Sequence, residues 1–282
     1  MIMPISAENV LTSSTILLPE ERQRAIRDRL ASKGRVLAID LARELHTSED
    51  TIRRDLRELA ALGICRRVYG GALPVSPASG ALSERQAQFP ERKAALAEEA
   101  VKLASPGQFI FLDAGSTNLA IARALPQNVG LVVAVNAPVI ANALLERGGF
   151  EVLMVGGRLD AQAGAALGAQ AVRDVRAMSA DLCFLGACAV DPDATVHAFN
   201  FEDAAFKRAL IERSRTIAVA AGAEKLGATA SFEVMAGAKL DHLIVESDAE
   251  PALLARFEQL GIKVHRASRG RDRSPKGSGR SA

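Results

Sequence analysis

Arg53, Arg54 and Arg57 stand close together in residues 49–62, a stretch whose apolar residues recur at helical spacing. At about 100° per residue, Ile52, Leu56 and Leu59 fall within one narrow arc, which must face a core. The opposite arc holds Asp50, Arg54 and Arg57, flanked by Thr51 and Arg53. A guanidinium is a planar fork that matches guanine O6 and N7, or a phosphate. This outer arc therefore carries the chemistry of DNA recognition. A short basic hairpin follows: residues 64–68 and 73–75 read as strands, with Tyr69-Gly70-Gly71 at the tip. Ser48, Thr51, Arg53, Arg54, Arg57, Arg67, Tyr69 and Gly70 are the candidate DNA contacts.

A plainer reading competes with this one. Asp50–Arg54 and Arg54–Glu58 are i,i+4 charge pairs, which steady any exposed helix by roughly 0.3–0.5 kcal/mol each. The surrounding elements decide between the two. Residues 19–32 predict an amphipathic helix with Ile26 and Leu30 on one face, Pro19 in its first turn and Gly34 at its end. Residues 38–45 predict a second helix burying Leu41, Ala42 and Leu45. His46-Thr47-Ser48 makes the turn, Thr47 or Ser48 caps the third helix, and Gly63 stops it. A helix-turn-helix over about 36–55, followed by a basic Gly-Gly hairpin, is an order that places a recognition helix in the major groove. Glu49 and Asp50 suit the helix dipole but repel phosphate, so they either accept from cytosine N4 or turn aside.

A second kind of chemistry sits in Asp113-Ala114-Gly115-Ser116-Thr117. Its small residues let backbone N–H groups approach an anion, its hydroxyls add donors, and a helix opening there favours phosphate through its dipole. Taken alone, a Gly-Ser-Thr turn is more often just a cap. It is neither a Walker loop nor a G-x-G-x-x-G fingerprint. What positions it is an alternation of apolar runs at 109–113, 131–136, 151–156, 182–187, 216–221 and 242–246 with amphipathic segments such as 119–125, 139–145, 204–213 and 252–260. That alternation predicts a parallel, Rossmann-like sheet covered on both faces. In such sheets ligands bind at the carboxyl ends of the strands, where Asn136 and Gly156-Gly157 also fall.

With 282 residues and half of them apolar, the chain has room for two domains. The net charge of +2 is unevenly spread: residues 20–75 hold 12 Lys/Arg against 9 Asp/Glu, 263–282 hold 7 against 1, and 76–262 hold 16 against 22. An acidic body with basic ends predicts local DNA contact rather than a whole-surface coat. Cys65, Cys183 and Cys188 form no C-x-x-C pair, so no disulfide framework or metal site is expected, and a reducing cytoplasm fits. The first eighteen residues lack Lys and Arg, unlike a secretory leader, and no apolar run approaches a membrane span of about 20 residues. Residues 1–18 read as an extension, 75–81, rich in Pro, Ser and Gly, as a linker, and the basic stretch 263–282 as a disordered tail.

Residues 19–74 resemble the amino-terminal domain of DeoR-family bacterial transcriptional regulators. Ser48, Thr51-Ile52-Arg53-Arg54-Asp55-Leu56, Arg67 and Gly70-Gly71-Ala72 match that family's pattern. Over about 82–246 the resemblance continues through Arg85, Lys93, the Asp113 to Thr117 loop, Asn136, Gly156-Gly157, Gly186 to Asp191, Glu202, Lys207 and Lys225. The resemblance implies an α/β fold, a winged helix-turn-helix (19–74) followed by a Rossmann-like, ribose-5-phosphate-isomerase-like sensor domain (82–262). It implies double-stranded operator DNA and a phosphorylated sugar effector as partners, with a homo-oligomer (dimer or tetramer), repression of carbohydrate genes and no cofactor. The implied effector site comprises Asp113, Gly115, Ser116, Thr117, Asn136, Gly156, Gly157, Lys207 and Lys225. The chain departs from the family at Val135, Ala137, Pro192-Asp193-Ala194 and Gly222, which stands where an Asp usually precedes Lys225. The alternative is a sugar-phosphate isomerase-like enzyme fused to a DNA-binding domain. The corresponding acidic loop of such enzymes keeps one acid at most here, Asp191, so no catalytic residue is assigned.

Overall fold

The computed structural model describes residues 17–33, 35–62, 64–74 and 80–268. The chain forms two compact units, 1–75 and 76–282. The stops expected at Gly34 and Gly63, most of the 75–81 linker, and the sequence before 17 and after 268 lie outside the described residues.

The first unit runs α1 (Pro19–Lys33), β1 (Val36–Leu37), α2 (Ala38–Glu44), α3 (Glu49–Ala61), β2 (Cys65–Val68) and β3 (Gly71–Pro74). Ile52, Leu56 and Leu59 of α3 are buried, as their spacing requires, against Ile26 and Leu30 of α1 and Leu41 of α2. The hairpin gains a third strand that periodicity could not show, because β1 is only two residues long: the sheet order is β1-β3-β2. Gly71 permits it. A Cβ there would stand 1.9 Å from the Val36 carbonyl oxygen, so β1 and β3 close up only around a glycine. Gly70, at φ +79°, takes the left-handed turn at the tip.

Asp55 lies on the buried side of α3, among the apolar stripe. Its Oδ2 accepts from Arg22 Nε at 2.5 Å and its Oδ1 from Arg22 Nη2 at 3.1 Å. Arg22 Nη1 also donates to the Leu17 carbonyl at 3.2 Å. This two-bond fork ties α1 to α3.

The second unit begins with α4 (Leu82–Ala87) and α5 (Pro90–Ala100) and continues through β4 (Phe109–Leu112), α6 (Ser116–Ala124), β5 (Val132–Val135), α7 (Pro138–Arg147) and β6 (Glu151–Met154). After the hairpin β7 (Arg158–Asp160) and β8 (Ala165–Leu167) come α8 (Ala169–Arg176), β9 (Ala180–Phe184), β10 (Ala189–Val190), β11 (Val196–Ala198) and α9 (Phe201–Glu212). It ends with β12 (Ser214–Ala221), β13 (Phe232–Met235), β14 (His242–Glu246), α10 (Pro251–Gln259) and β15 (Lys263–Ala267). Seven strands form one sheet in the order β15-β14-β12-β9-β4-β5-β6, and every neighbouring pair is parallel.

Alternate residues of the central strands enter cores on opposite faces. Phe111, Cys183 and Val219 pack on one side; Ile110, Leu182 and Ala218 pack on the other. Burial on both faces explains why these strands read as continuous apolar runs. One expectation is corrected. Residues 263–267, read as the start of a disordered tail, are β15, in parallel register with β14 from His242↔Lys263 to Glu246↔Ala267. A strand at a sheet edge keeps its charged residues in water, so Lys263 and Arg266 hid it in a basic composition.

Replacing Asp55 by Ala leaves a largely buried guanidinium without its partner. We expect a loss of about 3 kcal/mol, seen in calorimetry as a fall of more than about 10 °C in the unfolding of the small amino-terminal unit. A shift of only a degree or two would show that the fork does not hold α3.

Candidate functional sites

Of the acids at the start of α3, Glu49 is hydrogen-bonded to Arg53, while Asp50 points into solvent with Arg53 its nearest cation. Glu49 Oε1 lies 2.7 Å from Arg53 Nη2, and Asp50 Oδ1 lies 4.0 Å from Arg53 Nη1. Of the two pairs expected for Arg54, neither forms: Asp50 lies nearer Arg53, and Glu58 accepts from Gln23 at 2.7 Å. Arg54 is exposed, and no carboxylate pairs with it among the described residues. Arg57 is also exposed and donates to the Arg53 carbonyl at 3.3 Å.

Ser48 is the cap. Its Oγ accepts from Thr51 N at 3.1 Å and lies 2.7 Å from Thr51 Oγ1, so both hydroxyls first fix the helix start. On the hairpin, Arg67, Tyr69 and Gly70 are exposed, and Tyr69 stands fully in solvent. The Gly70 carbonyl accepts from Ala38 N at 2.8 Å, which anchors the wing tip to the start of α2. Together these residues make one arginine-bearing helix face and a wing within a single small unit.

In the α/β unit, Asp113 follows β4 and points inward, not into solvent. Its Oδ1 accepts from Ala114 N at 2.8 Å and Asn136 Nδ2 at 3.2 Å. Its Oδ2 accepts from Gly186 N at 2.9 Å and Lys207 Nζ at 2.6 Å. Lys207 is 3% exposed and Asp113 0%. Asp203 Oδ1 lies 2.8 Å from Lys207 Nζ, an ion-pair distance without hydrogen-bond alignment. Burial opposes the Lys207 charge, but the two carboxylates outweigh it and hold the ammonium above the ordinary lysine range. Burial pushes the Asp203 carboxyl up, with Lys207 opposing. Gly186 is required at this junction, since a Cβ would stand 2.5 Å from the Ala114 carbonyl oxygen.

Of the residues assigned to an effector, Asp113, Asn136 and Lys207 thus form a buried polar knot. Ser116 and Thr117 open α6 beside it. Gly115 occupies the cap position with no side-chain cap, and the amides of Ser116, Thr117 and Asn118 have no acceptor among the described residues. Uncapped first-turn amides are an anion site in waiting. Gly156 and Gly157 do not share the hydrogen bonds of the knot among those described; a Cβ on Gly156 would meet nothing within 4 Å, and Gly157, at φ +145°, allows close approach to the Leu167 carbonyl.

Three further cations gather round. Lys225, half-buried in the 223–225 turn, has its ammonium pushed below the ordinary lysine range, by burial first and then by Arg85 and Lys207, with Cys188 and Glu224 opposing. Lys93 is lowered to about 8, by burial and then by Lys225. Its Nζ donates to the carbonyls of Arg85 and Gln88. Arg85 donates to the Gly80 carbonyl at 3.0 Å, and burial lowers its pKa. Arg85 and Lys93 stand out in the sequence only through the family resemblance, because nothing local marks either as facing Lys225. Asp203 had a local signal, its i,i+4 spacing to Lys207. Burial also pushes the Cys188 thiol up, away from the thiolate a nucleophile needs.

Comparison with known proteins follows this division. Residues 22–78 match the DeoR-like helix-turn-helix domain, and residues 88–247 match the DeoR C-terminal sensor domain. An Escherichia coli O157:H7 protein named as a repressor of the aga operon is 32% identical over 248 residues, 86% of this chain and 92% of its own. The HTH-type transcriptional regulator GlpR of Haloferax volcanii is 30% identical over 250 residues, 88% of this chain and 98% of its own. The glycerol-3-phosphate regulon repressor of Escherichia coli K12 is 29% identical over 232 residues, 82% and 91%. Among solved structures, ribose 5-phosphate isomerase A of Methanocaldococcus jannaschii aligns over about half of each chain at 16% identity and a TM-score of 0.37; the α/β assignment stands on the strand order itself. With both halves matched and a relative 32% identical over 92% of its own length, the chain belongs to the DeoR family of transcriptional regulators.

Proposed function

We propose that this chain represses carbohydrate-metabolism genes, binding operator DNA through its winged helix and being released or modulated by a phosphorylated sugar. One observation carries the DNA half: Arg54 stands exposed on α3 with no carboxylate paired to it among the described residues, while Glu49 pairs with Arg53, Asp55 with Arg22 and Glu58 with Gln23. The effector half is supported by the uncapped start of α6 and by the cations Arg85, Lys93 and Lys225 of the same unit, which have no carboxylate within ion-pair distance among the described residues. A relative named for the glycerol-3-phosphate regulon favours a phosphorylated polyol as the class of signal.

A homo-oligomer, dimer or tetramer, belongs to this reading, because symmetric dimers read repeated half-sites. The edge strand β6 presents Leu153 and Met154 to solvent, with Leu145 exposed on α7, a surface suited to a second copy. Action in the cytoplasm at the nucleoid is part of the same proposal; no described helix is long and apolar enough to cross a membrane. Releasing DNA a hundredfold requires about 2.7 kcal/mol of coupling, within the ordinary range.

The isomerase-like alternative needs a carboxylate with room to take a substrate proton. Asp113 has two donors on each oxygen. Asp191 holds its own turn through Asp193 N and Thr195 N, and its other oxygen meets His197 at 3.0 Å. We therefore assign no proton transfer to Asp113 or Asp191.

Arg54→Ala should weaken specific DNA binding by about 10–100-fold, the worth of one bidentate contact. A gel shift at several salt concentrations measures it, and parental affinity at all of them would remove Arg54 from recognition. Sugar phosphates should raise the melting temperature of the α/β unit where the free sugars do not. At a hundred times Kd the stabilisation is about 2.7 kcal/mol, or roughly 5–10 °C. Equal shifts from a sugar and its phosphate would remove the anion site.

The pH dependence has a definite sign. Lys93 falls from 10.5 to about 8 on folding, so between those values the unfolded chain binds more protons, and stability rises with pH across that window. A bound phosphate reverses the penalty only while Lys93 is charged. Ligand-induced stabilisation should therefore be largest below pH 8 and shrink between about 8 and 10; a flat profile would separate Lys93 from the effector.

A further inference from the structure

Gly222 replaces a carboxylate that the family resemblance led us to expect ahead of Lys225, and its surroundings show why a glycine fits there. Its φ of −69° is open to any residue, so the backbone does not require glycine. Space does. A Cβ on Gly222 would stand 2.5 Å from Glu224 Oε2 and 2.7 Å from Oε1. The Glu224 carboxylate folds back into the volume that a side chain at 222 would fill.

That carboxylate is held from one side. Arg92 Nη2 donates to Glu224 Oε2 at 2.9 Å and to Glu246 Oε2 at 2.6 Å, while Arg92 Nε also bonds Glu246 Oε1. Glu246 Oε2 in turn accepts from Ala223 N at 3.1 Å, which pins the turn carrying Glu224. The other oxygen, Oε1, has no donor among the described residues, and the Glu224 side chain is 23% exposed. Its charge acts on both Lys93 and Lys225. Glu224 follows β12, two strands from β4 and the start of α6 in the order β12-β9-β4. At about 4.8 Å per strand, that separation is roughly 10 Å, the reach of a sugar phosphate with its phosphate on the α6 amides.

We propose that Glu224 is the specificity-determining carboxylate of the effector pocket, accepting a hydroxyl of a polyhydroxylated phosphate ester through Oε1, and that Gly222 is the vacancy that admits it. The inference rests on the effector reading above and names the ligand feature that this chain reads. Because the carboxylate repels a second anion, it discriminates against bare phosphate and orients the ester, with phosphate toward α6 and hydroxyls toward β12.

The test uses the full chain and calorimetric titration with inorganic phosphate, glycerol 3-phosphate, ribose 5-phosphate and fructose 6-phosphate. Glu224→Gln keeps an acceptor for Arg92, so the ligand-free melting temperature should hold. The preference of the best ester over inorganic phosphate should fall about tenfold, as expected for one hydrogen bond to a charged group. Gly222→Ala, which displaces a flexible carboxylate and not the backbone, should reproduce that fall with the Glu224 charge still present. Gly222→Asp in the Glu224→Gln background returns a carboxylate to the same volume and should restore the preference. If esters bind the parent chain and either single variant changes the preference by less than about threefold, the assignment of Glu224 is overturned while the pocket stands. If no probe binds the parent chain, the pocket reading falls and this proposal with it.

Discussion

The ion pair between Asp113 and Lys207 is the constraint on which the α/β unit depends. Both charges are out of water, and a buried charge without its partner is strongly destabilising. Satisfying Asp113 requires Gly186 after β9, Asn136 after β5 and Lys207 from α9 to converge on the end of β4. Those three attachments fix the carboxyl ends of the central strands relative to one another. The start of α6 inherits its position from them, because Ala114 N is itself bound to Asp113. The uncapped turn that opens α6 is therefore positioned by a buried ion pair.

This separates two sorts of charge within one basin. Lys207 is neutralised by two carboxylates and belongs to the framework. Arg85, Lys93 and Lys225 have their pKa values lowered, by burial first and then, for the two lysines, by neighbouring cations, and no carboxylate lies within ion-pair distance of them among the described residues. The same distinction runs through the winged helix. Arg22 is consumed by Asp55 and Arg53 by Glu49 and Asp50, whereas Arg54 is left over.

Much of this was legible in the sequence, for identifiable reasons. Central parallel strands are buried on both faces, so 242–246 and its companions announce themselves as apolar runs; α3 does so through the arc of Ile52, Leu56 and Leu59. The strand β15 was hidden because an edge strand carries charge, and β7, β8 and β1 because two or three residues have no readable period. Direction was the other blind spot. The type and position of Asp113 suggested ligand chemistry, but whether a carboxylate points into a pocket or into a protein depends on residues such as Lys207, 94 positions away. Gly222 reads in sequence only as a loss, since the neighbour that fills its space is visible only in three dimensions.

The acids bracketing Arg53 carry a consequence for the ionic atmosphere of bound DNA. Each phosphate neutralised by a protein cation releases condensed counterions, and the steepness of the salt dependence counts those cations. Arg53 is paired with Glu49 at 2.7 Å, with Asp50 at 4.0 Å beside it. On the DNA-binding reading proposed above, the wing and helix would displace fewer counterions than their arginines suggest, and the salt dependence of binding would be correspondingly shallower.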